Sequence, residues 1–576
     1  MTGVGRRLST AITICVVFLS VYPSTGDLRG DTARRPNVVL VMTDDQGYGD
    51  LGCHGNPVIR TPNLDRLHRE SVRLTDFHVD PTCSPTRAAL MTGRYSSRSG
   101  VWHTIAGRSL LRRDETTLAD HFRRAGYRTG IFGKWHLGDN YPFRVQDRGW
   151  QDSLVLGGGG VGQTPDSWGN SYFDDTFWRN GVPEKQSGYC TDVFFRAALR
   201  FIEQNRHRPF LCYLATNAPH GPYRVAERYA ARYRKLGVSG PRAAFYGMIE
   251  NIDDNVGRLL RALEEHKLAD NTVVLFLTDN GTAAGWTEAK RDGFNAGMRG
   301  VKGSAYEGGH RVPCFWRWPG RLSAGRDVAD LAAHLDVLPT LLDLCGIEAK
   351  HPLPLDGLSL RPVLTGTGKL PARTLFVHSQ RIEHPQKWRQ CAVLTPRWRL
   401  IDGKQLYDLP ADPGQRRDVA ADHPDVVRHL RGDYEQWYAS ISTRFGEYCP
   451  IVLGADAENP ALLTAHDWHA DDLPWDQTQV RRLPRANGFW AVQIDRAGRY
   501  RFTLRHQPAE ANCPLRATSA RVQLGAATAR IAVPAGATAV SLDLTLAPGD
   551  GRLQTWLDEA DATSRGAFYV EVRRLP

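Results

Sequence analysis

At 576 residues, with 41% hydrophobic and 23% charged side chains, the chain is long enough for two or three packed domains. It carries none of the bias of a disordered or fibrous protein. A formal net charge of +11 suits a polyanionic partner and suits equally an arginine-rich solvated surface, while the absence of any nucleic-acid-binding motif removes nucleic acid from the expected partners.

Arg6 and Arg7 precede an apolar run from Ala11 to Tyr22, and small polar residues follow to about Gly26. This is the pattern of a cleaved export leader over 1–26. The run is short of the ~20 residues that span a bilayer, so the expectation is a periplasmic or secreted protein with no stable membrane span. Ten cysteines, one of them (Cys15) in the leader, show neither zinc spacing nor a dense disulfide framework.

Asn37–Thr43 is continuously apolar, as in a strand buried on both faces of a parallel sheet. It ends in Asp44 and Asp45, at the strand end where α/β sheets bind ligands. Thr61-Pro62-Asn63 opens a short helix through Leu64 and Leu67. Cys83-Ser84-Pro85-Thr86-Arg87 opens another, with Ser84 as N-cap and Pro85 in the first helical position. Cys83 then sits at a helix N-terminus, where free amides and the dipole favour an anion, with Arg87 one turn further on. The residues alone allow a reactive cysteine or an anion pocket.

Thr116 caps a further helix with Leu118 and Phe122 inward and Gly126 as its stop. In Gly133-Lys134-Trp135-His136-Leu137-Gly138, Lys134 and His136 are two apart and share a face if the segment is extended. Residues 157–170 hold four consecutive glycines and fit equally a mobile loop near a cleft and a passive surface loop. A helix over 191–205 and a strand over 209–216 lead to His220 on a proline-bounded turn. Met248, Ile252, Val256 and Leu259 mark another helix, and Thr272–Thr278 is a second buried strand ending in Asp279-Asn280-Gly281. Lys302 follows in a glycine-flanked turn.

This alternation predicts a doubly wound α/β domain over 27–370. A proline-rich connector then leads to a small α+β subdomain over 371–449, with strands at 375–378, 391–395 and 406–409 and a helix at 425–438. From 450 to 576 the period changes to two, as where Tyr500, Phe502 and Leu504 alternate with arginine and threonine, and predicts an appended β-sandwich. A carbohydrate-binding module and a spacer both fit it.

Asp44, Asp45, Asp279 and Asn280 offer only oxygen ligands, which suit one hard divalent cation, Ca²⁺ or Mg²⁺. Zinc would recruit histidine or cysteine. Arg87, Lys134, His136, His220 and Lys302 supply positive charge for an oxyanion, and His220 or Lys302 can act as general acid.

The Cys83-to-Arg87 signature, continuing through Ala88 to Arg94, resembles that of the type I sulfatases, as does the Gly-Lys-Trp-His-Leu-Gly segment. In that family, a branch of the alkaline phosphatase superfamily, the cysteine is oxidised to formylglycine. The resemblance covers about residues 36 to 438 and matches at Asp44, Asp45, Cys83, Pro85, Arg87, Lys134, His136, His220, Asp279, Asn280 and Lys302. It implies an arylsulfatase-like sulfuric ester hydrolase that uses Ca²⁺ and needs a formylglycine-generating maturation enzyme. One hydroxyl of the hydrated aldehyde would attack sulfur and the other would expel sulfate.

By the same resemblance, Asp44, Asp45, residue 83, Asp279 and Asn280 hold the metal. Lys134, His220 and Lys302 grip the sulfate, Arg87 stabilises the hydrate and His136 assists its collapse. Trp102 and His103 are candidates for a sugar subsite, and a sulfated small molecule or glycan is the expected substrate. Two alternatives stay open: a phosphonate or phosphate monoester hydrolase using the same modified residue, and a glycan-binding protein with a vestigial catalytic domain.

Overall fold

The computed structural model describes residues 1–3, 35–348 and 353–576. The expected leader's apolar run and Cys15 lie outside the described residues. No helix among the described residues is long and apolar enough to cross a membrane.

A ten-stranded sheet organises residues 37–328. Its strands, in chain order, are β1 (Asn37–Thr43), β2 (Val72–Leu74), β3 (Arg128–Lys134), β4 (Asp152–Leu156), β5 (Thr176–Arg179), β6 (Val182–Lys185), β7 (Phe210–Ala215), β8 (Thr272–Thr278), β9 (Cys314–Arg317) and β10 (Arg326–Val328). Their spatial order is β10-β2-β9-β8-β1-β7-β3-β4-β5-β6, with β8, β1, β7, β3 and β4 all parallel.

Alternation along β1 explains why the sheet is covered on both faces. Val39 and Val41 pack with the helices Cys190–Asn205 and Gly240–Glu265, while Val38, Leu40 and Met42 pack with the helices Cys83–Thr92 and Leu118–Arg124. An apolar run with no polar face needs such a double layer.

Two predicted helix starts are corrected by one or two residues. The Cys83 helix is capped at Thr82, not Ser84, so Pro85 sits third in the first turn. No intrahelical bond is lost there, because the first-turn N–H groups have no partner inside the helix. Thr117, not Thr116, caps Leu118–Arg124, since it forms a capping box with Asp120.

The small subdomain is a four-stranded antiparallel sheet of Leu375–His378, Cys391–Leu394, Trp398–Ile401 and Gln405–Asp408. The helix Pro424–Ser442 lays Leu430, Tyr434, Trp437, Tyr438 and Ile441 into the same core. Trp398–Ile401 escapes the sequence reading because Arg399 interrupts its apolar character. In the structure Arg399 is buried on Glu307 (2.7 Å) and Asp76 (2.8 Å).

Beyond residue 450 two sheets face each other. One is built on Phe489–Ile494, Ser519–Leu524, Ala527–Ala532 and Gly549–Asp558, the other on Ala461–Thr464, Gly498–Arg505, Val540–Leu546 and Tyr569–Arg574. Tyr500, Phe502 and Leu504 point into the shared core, as their alternation predicts. That core also takes in Ala106, Leu110 and Phe143 of the α/β domain, so the sandwich is packed against the α/β domain as part of a common core. All nine cysteines among the described residues are free thiols.

Candidate active site

Strand register assembles the site. β1 and β8 pair Thr43 with Thr278, so Asp44 and Asp279 leave neighbouring parallel strands side by side. β7 and β3 pair Ala215 with Gly133, which brings the Lys134 end and the turn carrying His220 to the same edge. The carboxyl ends of four parallel strands thus bear the acids and cations, as the general rule for open α/β sheets requires.

The contacts are specific. Lys134 Nζ lies 2.6 Å from Asp44 Oδ2, both side chains fully buried. Lys302 Nζ lies 2.5 Å from Asp45 Oδ1, and Asn280 Nδ2 donates to the same oxygen over 2.9 Å. The Asp45 backbone N–H donates to Asp279 Oδ1 (3.1 Å). Arg87 donates to Asp279 Oδ2 from Nη2 (2.8 Å) and Nε (3.2 Å), and from Nη1 to the Lys134 carbonyl (3.1 Å). Cys83, 2% exposed, heads its helix beside this cluster.

Electrostatics follow from burial and pairing. Burial pushes the Asp45 carboxyl up, but Lys302 and His220 outweigh it and hold the group well below the usual carboxylate range. Asp279 is pushed up to about 6, by burial first and then by Asp44, with Arg87 and Lys134 opposing. Burial alone would lower Lys302; Asp45 overcomes it and keeps the ammonium charged. His220 is pushed down to about 4, mainly by burial. Its Nδ1–H donates to the Gly221 carbonyl over 2.7 Å, and Nε2 stands 3.8 Å from Asp45 Oδ2.

The donor set fits a hard cation. Asp44, Cys83 and Asp279 can each turn a ligand atom to within 4.8 Å of the others. Asp44 Oδ1 and Asn280 Oδ1 are buried with no hydrogen-bond partner among the described residues, an arrangement costly unless something positively charged completes it. All but Cys83 are oxygen ligands of the kind that hold Ca²⁺ or Mg²⁺.

Above the cluster opens a cavity of about 440 Å³, lined by Cys83, His136, His220, Lys302 and His103 among others. Lys134 is not on its wall; it lies beneath, on Asp44. His136 is not extended relative to Lys134: β3 ends at Lys134 and His136 adopts a left-handed backbone with φ 62°. Its Nε2 bonds the Thr104 carbonyl (2.8 Å), and Nδ1 is buried with no partner among the described residues. His103 Nδ1 accepts the N–H groups of Thr104 and Ile105. Trp102 is corrected: it is 2% exposed, bonded through Nε1 to the Ile382 carbonyl, lies under Arg108, and is not among the residues lining the cavity.

The glycine-rich stretch 157–170, expected as a mobile or a passive surface loop, is hydrogen-bonded through much of its length. Gly158 N donates to Asp139, Gly159 N to Gln163 and Gly162 N to Asp166. The backbone of Gly159 and Gly160 runs against the imidazoles of His136 and His220, which is why side chains are missing there. Cavity residues not expected from the sequence include Gln163, Arg381 and Trp475; the last two lie some 300 and 390 positions beyond Cys83, and no local pattern marks them.

Comparison with known proteins agrees with this geometry. Residues 36–347 match the family model Sulfatase, and residues 301–437 match N-sulphoglucosamine sulphohydrolase, C-terminal. Human arylsulfatase A is 34% identical over 462 residues, covering 73% of this chain and 86% of that protein. Human N-acetylgalactosamine-6-sulfatase is 33% identical over 374 residues, covering 60% and 68%. The structure of Ps i-CgsB in complex with k-i-k-neocarrahexaose aligns with TM-score 0.64 at 27% identity, covering 72% of this chain and 95% of that one. Phosphonate monoester hydrolase of Agrobacterium radiobacter, at 22% identity, TM-score 0.51 and coverage of 71% and 96%, shares the fold. With a matched family model across the strands that carry the acids, the cysteine helix and both lysines, the chain belongs to the sulfatase family and is a sulfuric ester hydrolase.

Proposed function

We propose that this exported enzyme hydrolyses sulfate monoesters of a carbohydrate, through a formylglycine made from Cys83 by a maturation enzyme and with one Ca²⁺ held by Asp44, Asp45, Asp279 and Asn280. The observation that carries the reading is the pair of buried oxygens with no hydrogen-bond partner among the described residues, Asp44 Oδ1 and Asn280 Oδ1, beside Cys83 at the head of its helix. Ca²⁺ is favoured over Mg²⁺ because four protein ligands suit its larger, flexible shell, whereas Mg²⁺ retains several waters. The carbohydrate follows from the relatives, among them N-acetylgalactosamine-6-sulfatase and a neocarrahexaose complex, and from a cavity too large for sulfate alone.

Bound there, the cation supplies Lewis-acid polarisation of a sulfate oxygen, and the hydrated aldehyde supplies the attacking hydroxyl. The chain's own residues do the rest. Lys302 presents its ammonium at the cavity wall and donates to the leaving oxygen. His220, with Nδ1–H committed to Gly221, turns Nε2 to the cavity beside Lys302 and grips the sulfate when that nitrogen carries a proton. Arg87 fixes Asp279 and the Lys134 carbonyl, and Lys134 fixes Asp44. His136 donates from Nε2 to Thr104, so Nδ1 is the acceptor for a proton from residue 83.

Mass spectrometry of the tryptic peptide 74–87, from protein purified from its native host, tests the reading. An aldehyde at residue 83 is expected; a fully unmodified thiol in active material would remove the nucleophile. Paired aryl sulfate and aryl phosphonate substrates are expected to show higher kcat/KM on the sulfate.

A further inference from the structure

The segment 465–482 belongs to the C-terminal module, outside both matched family models, yet it reaches the cavity above Cys83. Trp475 lines that cavity, half-buried. Its position is built. The Trp475 carbonyl accepts from the Thr164 N–H (3.0 Å), and its N–H donates to Gln479 Oε1 (2.9 Å). Gln163 and Asp476 form a β-bridge. The buried Gln477 amide spends itself on the same loop: Nε2 donates to the Gln163 and Asp166 carbonyls, each over 3.1 Å, and Oε1 accepts from Gly169 N (3.0 Å). The module therefore clasps the glycine-rich loop over His136 and His220 and leaves an aromatic ring on the cavity wall.

Arg381 lines the same cavity from the small subdomain. It is exposed and forms no ion pair among the described residues, although the residues after it are tied down. The Ile382 carbonyl accepts from Trp102 Nε1 (3.1 Å), and Glu383 pairs with Arg108 (2.9 Å) and His469 (3.1 Å). An anchored backbone thus holds an uncompensated guanidinium at a site that takes an anionic ester. A planar aromatic surface and an exposed guanidinium lining one cavity match a sugar ring that stacks its C–H face and carries a second anion.

Building on the carbohydrate sulfatase reading, we propose that Trp475 and Arg381 form a subsite for a pyranose ring bearing, besides the scissile sulfate, a second sulfate or a carboxylate. The C-terminal module is then part of the substrate site, and specificity is divided among three segments that meet only in the fold. Removing the module is no clean test, because Ala106, Leu110 and Phe143 share its core; point variants are.

The measurement is inhibition of 4-nitrophenyl sulfate turnover by paired mono- and disulfated disaccharides of the heparin, chondroitin and carrageenan types, for wild type, Trp475→Ala, Trp475→Phe and Arg381→Ala. At least one disulfated member is expected to inhibit wild type more strongly than its monosulfated partner. Trp475→Ala is expected to weaken inhibition at least tenfold more than it lowers aryl sulfate kcat/KM, with Trp475→Phe intermediate. Arg381→Ala should erase the preference for the second sulfate. No inhibition of wild type by any pair, or equal losses on disaccharide and aryl sulfate, overturns the subsite while leaving the sulfatase reading intact. If Trp475→Ala does not fold, Trp475→Phe and the exposed Arg381→Ala carry the same two outcomes. Failure of mature wild type, with the aldehyde in place, to turn over any aryl sulfate would instead count against the underlying reading.

Discussion

The backbone of Gly159 lies so close to the ring of His136 that a Cβ there would fall 2.1 Å from Cε1 and 2.3 Å from Nε2. The ring has no room to retreat, being buried and bonded to the Thr104 carbonyl. Gly159→Ala is therefore expected to shift His136 and lower kcat on 4-nitrophenyl sulfate by roughly a hundredfold, the scale set by ångström misplacements at reacting groups. Steady-state kinetics with a thermal melt check it; an unchanged kcat would show that His136 has no part in turnover.

Asp279 is at once a candidate cation ligand and the partner of the fully buried Arg87. Chelation of wild type is expected to abolish turnover and lower Tm, with Ca²⁺ restoring both, since a ligand that binds only the folded state stabilises it. Asp279→Asn is expected to lose the calcium-dependent rise in Tm and to cost about 3–5 kcal/mol besides, because Arg87 is left buried without its counter-charge. Calorimetry and chemical unfolding with and without Ca²⁺ separate the two effects.

Stability should fall in mild acid through buried neutral histidines. His506 is fully buried, and its Nε2 accepts the Arg516 N–H over 3.1 Å, which requires a neutral nitrogen. Burial first, and then Arg565 and Arg516, push it down to about 4; burial likewise takes His54 and His378 to about 4. Between pH 6.5 and 4 the unfolded chain binds protons that the native rings refuse. The stability these rings confer is thus complete above about pH 6.5 and is lost as pH falls towards 4. His506→Gln is expected to flatten the slope of unfolding free energy against pH by up to about 1.4 kcal/mol per unit in that window, measured by denaturant unfolding at several pH values.

Phe143 joins the two halves of the molecule. It is 1% exposed, in the sandwich core, and its carbonyl accepts from Trp135 Nε1 (2.9 Å) just before His136. Phe143→Ala is expected to destabilise the protein by about 3–5 kcal/mol. Hydrogen exchange in wild type should show Asn37–Thr43 and Gly498–Arg505 opening together. In the variant the module should open first, and an unaltered exchange pattern would refute the shared core.

Much of this protein was legible in the chain itself. Runs such as Asn37–Thr43 and Thr272–Thr278 cannot sit at a surface, so a buried parallel sheet, and acids at its strand ends, followed from hydrophobicity and period alone. Each motif around Cys83, Lys134, His220, Asp279 and Lys302 is contiguous and needed no fold to be read. Only the tertiary structure decided what those motifs face. Register put Asp44 beside Asp279, Lys134 went beneath the cavity rather than onto its wall, and Trp102 went into the core. The glycines of 157–170 became the backbone bed of two histidines, and Trp475 and Arg381 came to line the same cavity as Cys83 across hundreds of residues. Local composition carries burial and turn preference, which depend on neighbours in sequence. The cavity wall depends on contacts between segments far apart in the chain, and their geometry exists only once the sheets, subdomain and sandwich have packed on one another.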